Sequence, residues 1–306
     1  MNLHGILVVD KPRGMTSHDV VARVMRLLGE RRVGHGGTLD PAAEGVLPVA
    51  VGAATRLIQP VQGASKRYLA HIVLGVETDT ADIEGRVSAV SRAEVPDRQA
   101  VEAALARFVG TLVQVPPVYS AVKVGGQPLH RRARRGEAVE VPARTVTIHR
   151  IDLVAYQYPD LVIDVVCGSG TYIRSLARDL GQALGTGAYL HYLLRVSTGP
   201  FDLSQAWTLE SLEAGLRPET WSQYALHPDA ALFDTPAIVL DEPRTRAWYY
   251  GQPVPAGEPP AEHDEASAAA RAYSRNGDWI GTGVMETGTG HWQPRQVVGT
   301  CETRSR

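Results

Sequence analysis

Gly34-His35-Gly36-Gly37-Thr38-Leu39-Asp40-Pro41-Ala42-Ala43-Glu44-Gly45-Val46-Leu47-Pro48 sets one aspartate between flexible glycines and a rigid proline. Glycine admits positive φ and close approach of the backbone to a ligand, whereas Pro41 and Pro48 fix φ and remove donors. The stretch reads as a defined, irregular loop that presents Asp40. An ordinary turn, in which Asp40 accepts backbone hydrogen bonds, fits the same composition.

The flanking sequence supplies a scaffold. Residues 6–9 form a short apolar run that reads as a buried strand. Ser17 reads as a helix N-cap, and Val20, Val21, Val24, Leu27 and Leu28 then follow at helical spacing until Gly29. That helix is expected to hold the loop in place. Downstream, 68–74 alternates as a strand and 97–109 reads as a helix closed by Gly110. Pro116-Pro117 breaks the pattern. Beyond it, Gly125-Gly126 and the basic stretch 129–135 suggest a short helix in an excursion from the main sheet, at about 116–143. Strands are expected at 145–155 and 161–167, a helix at 171–184 with Gly185 past its end, and a short apolar element at 189–196. Strands and helices mix without a repeated βαβ rhythm.

After about residue 234 the texture changes. Residues 238–240 read as a short strand, 257–260 open a polar, alanine-rich loop, and 270–273, 279–285 and 296–298 are short strand candidates. Two domains are expected, 1–235 and a β-rich appendage over 236–306, in keeping with a length of 306 residues.

Composition narrows the class. A 44% hydrophobic and 21% charged chain without an apolar run near the roughly 20 residues needed to span a bilayer reads as soluble and globular. Nothing at the N-terminus resembles a signal peptide, so a cytoplasmic location is expected. Cys167 and Cys301 form neither a Cys-x-x-Cys pair nor a histidine-flanked cluster, so no zinc site or disulfide framework is indicated, and Cys167 reads as a small core residue. The formal charge is −2, yet between residues 123 and 150 seven Lys and Arg face only Glu137 and Glu140. That patch reads either as a solvated helix face or as a phosphate-binding surface.

The loop string, His-Gly-Gly-Thr-Leu-Asp-Pro followed by Gly-Val-Leu-Pro, resembles the catalytic motif of the TruB family of tRNA pseudouridine synthases. Gly5 to Ser17 with its Lys11-Pro12 turn, Lys66-Arg67-Tyr68, Thr78-Asp79-Thr80-Ala81-Asp82 with Gly85, Val115 to Lys123, and Gly170-Thr171-Tyr172-Ile173-Arg174 are similar to further family segments in family order. The resemblance implies an α+β fold with a mixed, mainly antiparallel sheet and a small PUA-like C-terminal domain; a structural β cap is the alternative for that domain. It also implies isomerisation of the uridine at position 55 in the T-arm of tRNA, with no protein partner required and a monomeric enzyme.

The reaction breaks N1–C1′, turns the uracil and rejoins it through C5. It exchanges no electrons or groups with a second molecule, so no cofactor and no metal are expected. By resemblance Asp40 is the catalytic carboxylate, acting covalently or as a base, and Arg174 pairs with it while Asp82 holds Arg174 from the other side. Tyr68 would stack on the extruded uracil, Tyr172 and Leu193 line its pocket, and His35 contacts RNA near the flipped nucleotide. Two departures from the family pattern stand out: Leu193-Leu194-Arg195 where two arginines are common, and His130 where a tyrosine is common. The rival readings are a relative of the guide-RNA-dependent synthases, an RNA-binding or folding module without catalysis, and a glycosidase using Asp40 and Glu44, which release of free uracil would reveal.

Overall fold

Thr16 opens the first helix, one residue before the expected cap. Its hydroxyl accepts from the Asp19 amide, and the Asp19 carboxylate accepts from the Thr16 amide, which closes a capping box. Ser17 is therefore the first helical residue and its hydroxyl is free for another task. The helix α1 (Ser17–Leu28) ends at Gly29, which adopts φ 63° as a left-handed C-cap. It follows the strand β1 (Gly5–Lys11), every residue of which but one is buried.

The computed structural model describes residues 3–117, 123–124, 127–128, 141–256, 269–286 and 288–299. Contacts divide the chain into two units, Met1–Leu226 and His227–Arg306. In the first unit β1 is followed by β2 (Val33–His35), β3 (Ala43–Val51), β4 (Lys66–Leu74), β5 (Val76–Thr78), β6 (Val87–Val90), the helix α2 (Arg98–Ala106) and β7 (Gly110–Gln114). The two-residue strands β8 (Lys123–Val124) and β9 (Gln127–Pro128) then pair with each other. Next come β10 (Arg144–Gln157), β11 (Asp160–Cys167), the helix α3 (Ile173–Ala183), β12 (Ala188–Thr198), β13 (Phe201–Asp202) and β14 (Trp207–Thr208). The rest of the 116–143 excursion, including the expected helix at 129–135 and His130, lies outside the described residues, as does the expected loop at 257–260.

Ten strands form one sheet in the order β14-β1-β3-β12-β4-β11-β10-β7, with β2 on β3 and β13 on β12. Only β1–β14 and β3–β12 run parallel, so the sheet is mixed and mainly antiparallel. Its core falls into two parts. Tyr68, Ala70, Ile72 and Leu74 of β4 alternate inward against Ile173, Leu176 and Leu180 of α3, whereas Leu7, Val9, Leu47 and Val49 face Val20, Val24 and Leu28 of α1. Each such fully buried aliphatic side chain contributes about 1.5–3 kcal/mol relative to exposure. Cys167 is fully buried in the first part, and burial pushes its thiol up to about 11.

Several local expectations are corrected. The stretch 34–48 is not loop throughout: residues 36–42 connect two strands, and Pro48 lies inside β3. It is tolerated there because β3 pairs along one edge with β1 from Gly45 to Val51, while on its other edge β12 covers only Ala43 to Gly45 and β2 only Val49 to Val51. Pro48 stands just past the last β2 pair, where its carbonyl accepts from the Gly36 amide at 2.8 Å and no amide donor is needed from it. Helix α2 stops at Ala106, not Val109, because the next amides bond three residues back and tighten into a final turn. Helix α3 begins at Ile173, with Tyr172 extended at its N-cap position.

The second unit is a five-stranded sheet built from Ala237–Leu240, Val254–Pro255, Ala269–Ser274, Trp279–Glu286 and His291–Val297 around buried Trp248 and Trp292. Its last strand starts five residues before the expected 296. A helix, Glu242–Tyr249, carries Trp248, whose indole N–H donates to the Ile280 carbonyl at 3.2 Å.

Candidate active site

Asp40 is fixed by clamps on the residues to either side of it. The Ser17 hydroxyl takes the Leu39 amide at 2.8 Å and donates to the Leu39 carbonyl at 3.1 Å. The Pro41 carbonyl accepts from the Gly14 amide at 2.8 Å and from the buried Lys11 ammonium at 3.4 Å. Lys11 also donates to the carbonyls of Pro12 and Met15, and burial lowers its pKa to about 8 against the pull of Asp40 and Glu44. The β1–α1 turn thus grips the loop at two points.

Arg195 grips the other end. Its side chain is buried, and Nε donates to the Val46 carbonyl at 2.7 Å, Nη2 to Gly37 at 3.0 Å and Nη1 to Thr38 at 3.4 Å. The guanidinium occupies the uncovered gap beside β3 and satisfies carbonyls that no strand reaches. Gly45 permits this approach: at φ 101°, a Cβ there would sit 2.3 Å from the Arg195 carbonyl oxygen. Arg195 also acts electrostatically on the Tyr68 phenol, so the cation that holds the loop from β12 is felt on β4 as well. Burial pushes the Tyr68 phenol up, and Arg195 opposes that shift. Arg195→Met is expected to lower unfolding free energy by about 2–3 kcal/mol, since one buried and two partly buried carbonyls lose their donor while the desolvation cost of one cation disappears. Urea unfolding monitored by tryptophan fluorescence checks this; an unchanged midpoint would contradict the clamp.

The sheet opens beside β12. On that edge β12 pairs with β3 from Leu193 to Arg195 and meets Asp82 at Leu190, leaving the backbone at His191 and Tyr192 beside a gap. An open cleft lies there, lined by Asp40, Ala42, Ala43, Asp82, Ile83, Arg174, Leu190 and residues 191–193. Arg174, buried at the start of α3, reaches Asp40 Oδ2 with Nε at 2.9 Å and Asp82 Oδ2 with Nη1 at 3.3 Å. Asp82 is held in turn: its Oδ1 accepts from the Thr80 hydroxyl at 2.5 Å and the Glu84 amide at 3.0 Å, after a turn that puts Ala81 at φ 59°.

Asp40 keeps 38% of its side-chain surface open to the cleft. The cleft walls nevertheless desolvate it, and this pushes its carboxyl above the ordinary range; Arg174 and Lys11 pull it down, Asp82 pushes it up. The result is a carboxylate that is reachable by a ligand and locked to a cation.

Of the residues expected at the site, Asp40, Arg174 and Leu193 share the cleft lining. Tyr68, Tyr172 and His35 stand outside that lining. Tyr68 lies under it in the core, next to Arg195. The Tyr172 backbone is clamped by buried Gln114, whose amide accepts from the Tyr172 N–H at 2.8 Å and donates to its carbonyl at 3.1 Å. The His35 Nδ1 accepts from the Gly37 amide at 3.3 Å within the loop, and burial lowers its pKa. Ser17, Gln114, Thr80 and Arg195 are positioning groups to which the sequence reading gave no such role. Glu44, the second carboxylate of the glycosidase reading, accepts from the Tyr192 hydroxyl at 3.0 Å.

Residues 25–173 match the TruB family pseudouridylate synthase N-terminal domain, and residues 174–228 match the tRNA pseudouridylate synthase B C-terminal domain. The chain is 43% identical over 300 residues to the tRNA pseudouridine synthase B of Pseudomonas aeruginosa, covering 97% of this chain and 96% of that one. It is 44% identical over 303 residues to the same-named protein of Gloeobacter violaceus, covering 97% and 100%. Among solved structures, an H/ACA ribonucleoprotein bound to a substrate RNA containing 2′-deoxyuridine superposes with a TM-score of 0.74 at 24% identity, over 98% of this chain and 87% of that one. A Cbf5-Nop10-Gar1 complex superposes at 0.71 and 26%, over 97% and 86%. The α+β fold is thus that of pseudouridine synthases, and the clamped Asp40 loop lies within the matched span: the chain belongs to the TruB family of pseudouridylate synthases.

Proposed function

We propose that the protein isomerises the uridine at position 55 in the T-arm of tRNA to pseudouridine, with Asp40 as the catalytic carboxylate. The observation that carries this reading is the fork of Arg174 between Asp40 and Asp82 in an open cleft, in a chain of this family. A uracil still joined to its ribose is too deep in an RNA stack for Asp40 to reach, so the target nucleotide flips out, at a cost of a few kcal/mol by order of magnitude.

Two roles for Asp40 require the ionised carboxylate. As a nucleophile it adds to the sugar or base and later leaves; as a base it removes a sugar proton. In either case N1–C1′ breaks, C5–C1′ forms, the C5 proton is lost and N1 gains one, so the product is an isomer of the substrate. Arg174 keeps Asp40 ionised. Leu193 supplies an apolar wall that retains the detached base. Tyr68, buried behind the cleft, stacks on the uracil face once the nucleotide enters. Tyr172 completes the pocket and His35 meets the RNA beside the flipped nucleotide. No cofactor is required by this chemistry.

The tRNA reading is favoured over a guide-RNA-dependent one because identity is 43–44% to proteins named for tRNA and 24–26% to the chains of the H/ACA ribonucleoprotein and Cbf5-Nop10-Gar1 structures. A monomer acting without a protein partner follows from the same reading. No helix among the described residues is long and apolar enough to cross a membrane, and a cytoplasmic location is proposed with the tRNA substrate. The C-terminal unit is proposed as a PUA-like RNA contact, and the basic excursion at 116–143 as a second one.

An unmodified tRNA transcript incubated with the protein tests the reading. Pseudouridine mapped to position 55, with no free uracil released, is the expected result. Tight binding without modification would favour the non-catalytic RNA module, and uracil release the glycosidase.

A further inference from the structure

The cleft is short of positive charge for the substrate it is proposed to take. Its lining carries two carboxylates, Asp40 and Asp82, and one guanidinium, Arg174, which is committed to both. An RNA strand approaching this net negative cleft meets repulsion unless its rim supplies cations. Among the remaining lining residues, only His191 can carry a positive charge.

His191 is placed by a defect in the sheet. Leu190 faces Ile72 across the β12–β4 ladder and Tyr192 faces His71, so His191 is the extra residue of a β-bulge. A bulge of this kind re-aims a side chain, and here it turns the imidazole to the cleft. The ring is backed on three sides. From β4, His71 packs against it with centroids 4.8 Å apart. From β11, Asp160 holds His71 Nε2 at 2.7 Å and so lends that pair its negative charge. From β12 itself, the Tyr189 hydroxyl lies 3.5 Å from His191 Nδ1, while Tyr192 is engaged with Glu44. Arg13, exposed in the turn after β1, acts electrostatically on both His191 and Tyr192. Neither Arg13 nor His191 forms an ion pair among the described residues.

We propose that His191 forms a phosphate subsite at the rim of the cleft, where its imidazolium takes a backbone phosphate of the RNA flanking the target uridine and the exposed Arg13 adds to the positive field. The inference rests on the RNA-modifying reading above and deepens it. In the free protein His191 is held below its ordinary pKa, by burial first and then by His71 and Arg13, with Asp160 opposing. A bound phosphate reverses that balance. Protonation and RNA binding are therefore linked, and the subsite strengthens as pH falls through the histidine range. Arg13 stays charged throughout.

The test compares wild type, His191→Gln and Arg13→Gln, each binding a T-arm RNA stem-loop over a range of salt at pH 6 and pH 8, with kcat and KM measured alongside. At pH 6 His191→Gln is expected to bind about fivefold more weakly than wild type, with a slope of log affinity against log salt smaller by about one, and with the loss appearing in KM. At pH 8 the two should agree within about twofold. Arg13→Gln should lose about one unit of slope at both pH values. Equal slopes for wild type and His191→Gln at pH 6, or a loss confined to kcat, would overturn the subsite. A wild type that binds the stem-loop but forms no pseudouridine would instead count against the functional reading, because the salt slopes need no turnover.

Discussion

Asp40→Asn is expected to reduce pseudouridine formation by roughly four orders of magnitude or more while the variant still folds and still binds tRNA. The carboxamide keeps the shape of the side chain and an oxygen that can face Arg174 Nε, now 2.9 Å from Oδ2. What it loses is the anion, and with it both the nucleophile and the base that the reaction needs. Stability should move by no more than about 1 kcal/mol. Arg174 retains Asp82 at 3.3 Å as its counter-ion, and the substitution removes a partly desolvated carboxylate that faces another one. RNA affinity should hold or rise slightly, since the cleft loses a negative charge opposite a polyanion. Nucleotide-level mapping, thermal unfolding and a binding titration on the same preparation separate the three quantities. Modification within tenfold of wild type would remove Asp40 from the chemistry.

The loop that bears Asp40 was legible in the sequence because its information is local: glycines that admit unusual φ, and prolines that fix it. The same holds for α1, whose apolar spacing and terminal Gly29 are contained within a dozen residues. What holds the loop was not legible. Ser17 and Thr16 are both good capping residues, and local sequence cannot say that Thr16 takes the cap and frees the Ser17 hydroxyl for Leu39, 22 residues away. Arg195 is the sharper case. Read beside a missing second arginine it looked like half of a departure from pattern, yet it is among the largest fully buried side chains of the chain. Its role depends on a gap between two strands that pair with β3 from opposite ends, a feature of topology alone. Residues 189–196 read as apolar and short for the same reason: nothing in them announces that β12 pairs with both β3 and β4, or that a bulge at His191 opens a cleft. The helix Glu242–Tyr249, by contrast, carried a signal in Asp241-Glu242-Pro243, an N-cap followed by an acidic first turn with proline near its start, that was open to reading.

Arg174→Met is expected to lower kcat by about three orders of magnitude and to move the acid limb of the pH profile upward, and Arg174→Lys to do both less severely. Asp40 already ionises above the ordinary carboxylate range because the cleft desolvates it. Arg174 is the largest influence opposing that shift, and Asp82 adds to it. Removing the guanidinium leaves desolvation and like charge acting together, so the pKa rises further, and a reaction that needs the anion appears only at higher pH. Part of the lost activity should return as pH is raised in the methionine variant. Stability follows the same linkage with the opposite sense. A carboxyl whose folded pKa lies above its unfolded value favours the folded state most where it is protonated, and this contribution is lost as pH rises through the folded pKa. The variant's deficit, about 3–5 kcal/mol for a cleft whose charges have lost their partner, should therefore shrink toward acid pH, just where its activity is lowest. A purely structural arginine would give another pattern: kcat falling in step with the folded fraction and an acid limb that stays in place. The lysine variant keeps the distinction measurable if the methionine one folds poorly, because a single ammonium can serve Asp40 or Asp82 well but does not reproduce the two-pronged hold of the guanidinium.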